Sequence, residues 1–312
     1  MNSIKTIFAG TPDFALPALK ALYKDADFKI QAVITQPDMP IGRKQVITAP
    51  PVKELAVKYQ IENIWQPQNI IQVMENIRKL QPDIIVIAAY AQIIPPDVLR
   101  LPKYGCLNVH ASLLPKYRGA SPIHAVILNN EKETGVTIMV MDETLDTGPI
   151  LSQAKTVISS EETTVSLYDR LAEAGAKLLI PTIKKYIKGK IEPQPQDDSK
   201  ANYVHQIKKS DGLIDWQKSA QEIERFVRAL GHWPGAWTWV KGKQLKITHV
   251  QHEIITINSQ KIGKTFMYNN GLAIQCGKDA LIIEKLQIQG KNELSSKEFL
   301  NGNQDFIGSI LG

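Results

Sequence analysis

The run Ile84-Ile85-Val86-Ile87-Ala88-Ala89 decides the fold of this chain. It is uninterrupted and apolar, and prolines bracket it at Pro82 and at Pro95-Pro96. An Ile/Val/Ala run of this length is typical of a strand that is buried on both faces of a parallel sheet. The apolar stretch that extends to Ile94 is too short to span a bilayer, so we expect no membrane partner.

The segments around this run alternate between the patterns of strands and helices. This order predicts an α/β domain with a Rossmann-like, mostly parallel sheet, which binds ligands at the carboxyl ends of its strands. The first turn, Gly10-Thr11-Pro12-Asp13, lacks the later glycines of a dinucleotide fingerprint, which disfavours a nicotinamide-dependent dehydrogenase. We predict strands at residues 4–9, 29–35, 84–89, 106–110, 137–142 and 150–157, and helices at 14–23, 69–80, 166–188 and from Ser121-Pro122 onward.

The pattern changes after residue 189. Residues 191–198 are polar and rich in proline, which is typical of a linker. Several short strands separated by turns then predict a small C-terminal β-barrel, with an OB-like fold as a candidate. We therefore predict a first domain at residues 1–189, a linker at 190–207 and a second domain at 208–312. In the second domain we predict a helix at 220–230 and strands at 236–240, 245–250, 254–257, 272–275 and 280–286.

The positive charge of the chain is concentrated in one window. Between Lys200 and Lys264, eleven Lys and Arg side chains stand against five Asp and Glu side chains, an excess that equals the formal net charge of +6. A basic surface of this kind suits a polyanionic partner. A basic surface is also common as an ordinary solvated surface without a partner. The charge alone slightly favours this second interpretation.

The cysteines and the N-terminus indicate a cytoplasmic location. Cys106 and Cys276 form no CxxC pair, so the sequence indicates neither a zinc site nor a disulfide framework. A reducing compartment is the simple interpretation. The apolar run Ile7–Ala9 ends at Gly10, so we do not interpret it as a signal peptide.

Three polar side chains can carry chemistry: two lie on a predicted strand and one lies in a loop after another strand. Asn108 and His110 are two residues apart on one strand, so they face the same side. An Asn amide can donate to a developing oxyanion, and a His can transfer a proton near neutral pH. A carboxylate from the loop at 142–148 can orient the ring, and Asp142 and Asp146 compete for this role. Because Thr147-Gly148 permits a fixed turn, we prefer Asp146.

The chemistry that this set suits is acyl or formyl transfer to an external amine. No Ser or Cys nucleophile is obviously paired with His110, so we expect no covalent enzyme intermediate. A second signal is the long connection after the second strand, where Arg43-Lys44 beside Gly42 could reach a phosphate. Two adjacent basic residues are also commonplace on loops.

The chain resembles the bacterial methionyl-tRNA formyltransferases, within the 10-formyltetrahydrofolate-dependent formyltransferases, over essentially its whole length. The central block at 108–120 and the segments at 133–139 and 145–148 are shared with the wider group of these enzymes. Ile214-Asp215-Trp216, Arg228-Ala229-Leu230 and Trp233-Pro234 narrow the resemblance to the tRNA enzymes. Further resembling segments are Phe8–Phe14, Thr35–Asp38 and Pro51–Lys53.

The resemblance implies a set of site residues. Asn108, His110 and Asp146 would form the catalytic trio, while Ser112, Leu113, Leu114 and Pro115 would line the folate site. Ala89, Tyr90 and Asp142 would lie near the pterin. Arg43 matches a functional arginine of the family on a loop that is inserted toward the tRNA acceptor end. Here the chain continues with Lys44-Gln45-Val46 instead of the family's common glycine and further lysines. The predicted tRNA-binding set consists of Arg43, Lys44, Lys208 and Lys209.

The resemblance also predicts the reaction. The formyl group of 10-formyltetrahydrofolate, the co-substrate, would pass to the α-amine of methionyl initiator tRNA in support of translation initiation, without a metal ion and with the enzyme as a monomer. The alternative is a formyltransferase for a small amine such as glycinamide ribonucleotide or an amino sugar nucleotide, which would not need the basic C-terminal domain. A non-catalytic RNA-binding protein is the rival from another class, and the intact trio argues against it.

Overall fold

The structure is a computed structural model that describes residues 3–42 and 44–312. The described residues within Met1–Pro122, Glu133–Val157 and Tyr168–Val204 form one compact unit. The segments Ile123–Lys132, Ile158–Leu167 and His205–Gly312 form a second. Within the described part of the chain, we find no helix with both the length and the apolarity of a membrane span.

The first unit is built on a seven-stranded sheet, in which the strands follow the order β10 (Ile150–Val157), β9 (Glu133–Val140), β7 (Cys106–His110), β6 (Ile84–Ala88), β1 (Ile4–Gly10), β2 (Phe28–Ile34) and β5 (Ile64–Trp65). The pairs along β7-β6-β1-β2-β5 are parallel, whereas β9 runs antiparallel to β7 and β10 antiparallel to β9. The predicted α/β class with a mostly parallel, Rossmann-like sheet is confirmed. The strands are β1 (Ile4–Gly10), β2 (Phe28–Ile34), β3 (Met39–Ile41), β4 (Val46–Thr48), β5 (Ile64–Trp65), β6 (Ile84–Ala88), β7 (Cys106–His110), β8 (Arg118–Gly119), β9 (Glu133–Val140), β10 (Ile150–Val157) and β11 (Tyr203–Val204).

Helices occur between these strands along the chain. The segment predicted as one helix at 69–80 begins as a 3-10 turn capped by the Asn69 side chain and continues as α3. The sequence analysis did not predict α2 or the hairpin of β3 and β4. The helices up to the linker region are α1 (Leu16–Lys24), α2 (Pro51–Lys58), α3 (Met74–Leu80), α4 (Pro96–Leu99), α5 (Pro122–Leu128) and α6 (Thr164–Ile187).

The decisive apolar run forms the centre of the first unit. Every residue of β6 is buried, and Ile85 and Ile87 pack with β1 and β2 side chains in one hydrophobic core. Because both faces of β6 are covered, its residues do not alternate between polar and apolar. The buried centre fixes the strand ends on which the polar side chains of β7 are held.

Part of the predicted linker packs onto the first unit. The backbone of Gln194 exchanges two hydrogen bonds of 2.8 Å with that of Ile150. Further along, β11 pairs in parallel with β8. The contact-based unit therefore extends to Val204, whereas the predicted first domain ends at residue 189.

The second unit contains an antiparallel sheet, in which the strands follow the order β12 (Ala236–Val240), β13 (Lys243–Ile255), β16 (Ala280–Ile288), β15 (Gly271–Gln275) and β14 (Thr265–Tyr268), with β17 (Leu294–Ser295) paired to β16. The strands predicted at 245–250 and 254–257 are one long strand with register shifts, because the polar residues between them lie exposed within the same strand. The OB-like barrel stays a prediction. The elements are α7 (Ala220–Leu230), β12 (Ala236–Val240), β13 (Lys243–Ile255), β14 (Thr265–Tyr268), β15 (Gly271–Gln275), β16 (Ala280–Ile288), β17 (Leu294–Ser295) and α8 (Ser296–Asn301).

Candidate active site

Asn108 and His110 lie on β7, between β6 and β9. Asn108 is half-buried and His110 is buried. The register pairs Asn108 with Ile87 of β6 and His110 with Thr137 of β9. Both residues are thus held on a strand inside the sheet.

Asp146 reaches these side chains from the loop between β9 and β10. Its Oδ1 accepts a hydrogen bond of 3.4 Å from Asn108 Nδ2 and lies 3.6 Å from His110 Nδ1. Its Oδ2 accepts a hydrogen bond of 2.8 Å from the backbone N–H of Gly119. The structure therefore brings the amide, the imidazole and the carboxylate of the predicted trio together.

The loop has to fold back along β7 to make these contacts. Because β9 is antiparallel to β7, its last residue, Val140, pairs with Leu107 near the start of β7. A Cβ atom on Gly148 would lie 1.9 Å from the Val140 carbonyl oxygen, so only glycine allows this close return. Asp146 itself has a φ of 56°, in the left-handed region that side chains other than glycine rarely adopt.

The imidazole of His110 has an acceptor at each ring nitrogen. Nδ1 faces the Asp146 carboxylate, and Nε2 lies 3.0 Å from the carbonyl oxygen of Tyr117. A doubly protonated ring can donate to both acceptors, whereas a neutral ring would turn one lone pair toward an acceptor. Each ring nitrogen of His110 thus faces an oxygen atom.

Asp142 takes a different position from Asp146. Its carboxylate accepts hydrogen bonds from Thr147 Oγ1 at 2.7 and 2.8 Å and from the Thr144 backbone N–H at 3.2 Å. These contacts tie the loop to itself. Of the two competing carboxylates, Asp146 is the one against His110, and Asp142 braces the loop that carries it.

The segment from Ser112 to Pro115 is fixed by neighbours that the sequence analysis missed. Thr137 Oγ1 donates to the Ser112 carbonyl at 2.7 Å and accepts from the Leu114 N–H at 3.1 Å. Gln153 Nε2 donates to the Leu114 carbonyl at 2.8 Å. Ser112 and Leu114 are buried, while Leu113 and Pro115 are half-buried and offer the accessible apolar surface. The Leu114–Pro115 peptide is cis.

The residues after β6 combine an unusual backbone with a buried ring. Ala89 and Ala91 have φ angles of 47° and 64°, and Ala89 is exposed. The Tyr90 ring packs in the hydrophobic core, where burial raises the pKa of its hydroxyl to about 12. The Tyr90 carbonyl accepts hydrogen bonds from Thr11 Oγ1 and Gln36 Nε2. At this point of the chain, the surface near the strand end is formed by Ala89 and by main-chain atoms.

Two of these loops carry exposed apolar side chains. Ile93, in the loop after β6, is 88% exposed, and Leu145, beside Asp146, is 61% exposed. Exposed apolar side chains beside a set of polar donors are typical of a small-molecule site. Among residues 3–42 and 44–312, no cluster of three or more His, Cys, Asp and Glu side chains could hold a metal ion.

The predicted tRNA-binding residues lie apart along the chain. Arg43 falls outside the described residues. Lys44 is exposed in the connection between β3 and β4. Lys208 and Lys209 are exposed in the second unit, where the Lys209 carbonyl accepts a hydrogen bond of 3.2 Å from Trp237 Nε1. The exposed ammonium groups are accessible to an anionic partner.

Comparison with known proteins places this site in a family. A family profile described as Formyl transferase matches residues 1–183, and one described as Formyl transferase, C-terminal domain matches residues 206–304. The chain belongs to the formyl transferase family. Family members named methionyl-tRNA formyltransferase resemble it over its full length. That of Citrifermentans bemidjiense is 43% identical over 315 residues, which cover 100% of this chain and 98% of that protein. That of Geotalea uraniireducens is 44% identical over 316 residues, which cover 100% and 99%.

Solved structures of other proteins share the fold. HypX from Aquifex aeolicus in complex with tetrahydrofolic acid gives a TM-score of 0.66 at 15% identity, over 98% of this chain and 48% of HypX. The chain thus spans about half the length of HypX. The N-formyltransferase from Helicobacter canadensis, in complex with folinic acid and dTDP-3-aminofucose, gives 0.65 at 21% identity, over 90% of this chain and 98% of that one. At these identities the likeness concerns the fold alone.

Proposed function

We propose that this chain transfers the formyl group of 10-formyltetrahydrofolate to the α-amine of methionyl initiator tRNA and so supports translation initiation. The convergence of Asn108 and His110 on the Asp146 carboxylate carries the proposal, because this arrangement suits acyl transfer. The full-length relatives named methionyl-tRNA formyltransferase support the choice of acceptor.

Asn108 and His110 stabilise the oxyanion that forms when the amine attacks the formyl carbon. One amide hydrogen of Asn108 is held by Asp146, which leaves the second to donate to the oxyanion. A charged His110 next to it adds a positive charge inside a buried site, where electrostatic stabilisation is strong. Since both groups are held before substrate arrives, little reorganisation accompanies the reaction.

Asp146 has two tasks in this scheme. Its carboxylate, 3.6 Å from Nδ1, stabilises the charged form of His110, and it helps to route the proton that the attacking amine loses to the leaving N10 nitrogen of the folate. The bond that forms joins the amine nitrogen to the formyl carbon, and the bond that breaks joins this carbon to N10. No oxidant or metal ion enters this balance.

The substrates would occupy different parts of the chain. Leu113, Pro115, Ile93 and Leu145 offer apolar surface for the folate, near Ser112, Leu114, Ala89, Tyr90 and Asp142. Arg43, Lys44, Lys208 and Lys209 would contact tRNA phosphates. We expect the enzyme to be a cytoplasmic monomer, with a formyltransferase domain at 1–189, a linker at 190–207 and an OB-like tRNA-binding domain at 208–312.

The experiment that tests this function compares acceptors. With 10-formyltetrahydrofolate as the donor, we expect formylation of methionyl initiator tRNA and little transfer to glycinamide ribonucleotide or to an amino sugar nucleotide. His110→Ala serves as the inactive control, because it removes the imidazole from the site. Faster transfer to either small amine would overturn the proposed acceptor and favour the alternative function. Absence of transfer to all three would overturn the proposed reaction.

A further inference from the structure

A segment from the predicted linker forms a brace across the candidate active site. We call residues 194–204 the strap. Its first residue is hydrogen-bonded to Ile150 at the start of β10, as described above. Near its other end, the Asn202 carbonyl accepts from the Arg118 N–H at 3.0 Å, and the Val204 carbonyl accepts from the Ala120 N–H at 3.1 Å. The strap is thus attached on both sides of the loop that carries Asp146.

Gln196 is the strap residue that contacts this loop. Its Nε2 donates to the carbonyl oxygens of Asp146 at 2.8 Å and of Gly148 at 2.7 Å. Its Oε1 accepts from Arg118 Nε at 3.1 Å and from Nη2 at 2.9 Å. Both amide hydrogens and both lone pairs of this one side chain are therefore used.

Arg118 connects Gln196 to the rest of the strap. Its side chain is 2% exposed, and it also donates to Asp198 Oδ1 at 2.7 Å and to Tyr203 Oη at 3.0 Å. A buried guanidinium with all its partners in place is rigid, since breaking one contact would leave a buried charge without compensation. The rigid Arg118 guanidinium consequently holds the Gln196 side chain in place.

The same network reaches Asp146 from two directions. Gln196 holds its carbonyl, and Gly119, the neighbour of Arg118, donates its N–H to the carboxylate. The left-handed backbone at Asp146 needs such support, because conformations of this kind are strained and persist only when the surroundings determine them. The loop also has to fold back against the direction of β9. Gln196 holds the Asp146 and Gly148 carbonyls in this return.

We propose that Gln196 is a positioning residue for formyl transfer, which acts through Asp146 by fixing the loop that turns its carboxylate toward His110 and Asn108. This inference rests on the proposed role of Asp146. It gives the predicted linker a part in catalysis within the first unit, independent of any contact with tRNA.

The test compares two substitutions of Gln196 with a control substitution at Gln194, which also lies on the strap. Gln196→Glu keeps the acceptor for Arg118 but removes both hydrogen bonds to the loop, and Gln196→Met removes all four without adding charge. Gln194→Glu is the matched control, since this side chain is exposed and donates only to the Glu192 carbonyl, at 3.3 Å. We expect both Gln196 variants to lower kcat by about tenfold to a hundredfold, the effect typical of losing a residue that orients a functional group. The KM values for both substrates should change little, and Gln194→Glu should match the unsubstituted enzyme.

A double-mutant cycle separates positioning from simple destabilisation. In an Asp146→Ala background, the Gln196 substitutions should lower kcat no further, because the group they position is gone. An equal loss in both backgrounds would overturn the inference, as would unchanged kcat in both Gln196 variants or an equal loss in Gln194→Glu. If Asp146→Ala alone kept full turnover, the proposed function of Asp146 would fail and the inference with it. Thermal unfolding of each variant verifies that it is folded.

Discussion

Replacement of Asp146 by Asn is the most direct perturbation of the candidate active site. The substitution preserves the size of the side chain and one oxygen, but it removes the negative charge that lies 3.6 Å from His110 Nδ1. Both side chains are nearly buried, with exposures of 7% for His110 and 10% for Asp146, so solvent screens the pair only weakly. We therefore expect the loss of charge to affect turnover more than stability.

The magnitude follows from the geometry. Two unit charges at this separation interact by about 4 to 5 kcal/mol at an effective dielectric constant of roughly 20. A hundredfold loss of kcat corresponds to about 2.7 kcal/mol of transition-state stabilisation. If a little more than half of the interaction is specific to the charged transition state, Asp146→Asn should lower kcat by roughly a hundredfold or more, which is also the scale for losing one oxyanion donor or proton-transfer group. Asn108→Ala and His110→Ala should show losses of the same order.

The assay is single-turnover formylation of methionyl initiator tRNA with both substrates saturating, which isolates the chemical step from binding. Asp142→Asn provides the comparison, because this carboxylate braces the same loop without contacting His110. We expect it to lower the rate much less than Asp146→Asn. Near-normal turnover in Asp146→Asn together with abolished turnover in Asp142→Asn would show that the carboxylate roles are reversed.

Three further predictions concern binding and stability. Arg43→Ala should raise the KM for methionyl-tRNA and leave folate affinity unchanged in a fluorescence titration; a large loss of folate affinity would contradict the role given to this loop. Binding of tRNA to the full chain should weaken steeply as salt rises while folate binding changes little, since each phosphate contact releases a counterion; a flat salt dependence would mean that the basic window is an ordinary solvated surface. Gly119→Ala should lower the free energy of unfolding by about 1–3 kcal/mol in urea titrations, because its Cβ would lie 2.3 Å from the Val204 carbonyl oxygen at a φ of +107°; an unchanged midpoint would show that the strap moves away without penalty.

The sequence predicted those elements whose signal is local. β6 was predictable because its apolar run and flanking prolines describe a buried strand without reference to any partner. The start of β9 was missed, since Glu133-Thr134-Gly135 lacks the branched apolar residues that mark a strand, although its pairing with β10 buries two of the three. β13 was divided for a related reason, because polar residues in an exposed part of a strand read as a turn.

The approach of Asp146 to His110 was predictable only in outcome. Strand order suggested that the carboxylate would lie near the strand ends, but the antiparallel direction of β9 starts its loop beside the beginning of β7. The return depends on Gly148 and on contacts to Gln196, which lies 50 residues further along the chain. A polar, proline-rich segment predicts only its lack of regular structure, and carries no local sign of the carbonyls that its side chains bind.

The attachment of the strap to the first unit changes how the proposed domain boundary has to be tested. A chain that ends near Gly189 lacks the strap together with the segment His205–Gly312 of the second unit, so a loss of activity could come from either. A chain that ends after Val204 keeps Gln196, Asp198 and Tyr203 on Arg118 and removes only the segment that begins at His205. If the strap positions Asp146, the longer chain should bind folate with the same affinity as the full chain while losing most tRNA affinity. The shorter chain should in addition unfold at lower urea concentration, because the buried Arg118 guanidinium would lose its partners. Equal stability of the two truncated chains would refute the structural role of the strap, and unchanged tRNA affinity in the longer one would refute the role of the basic window.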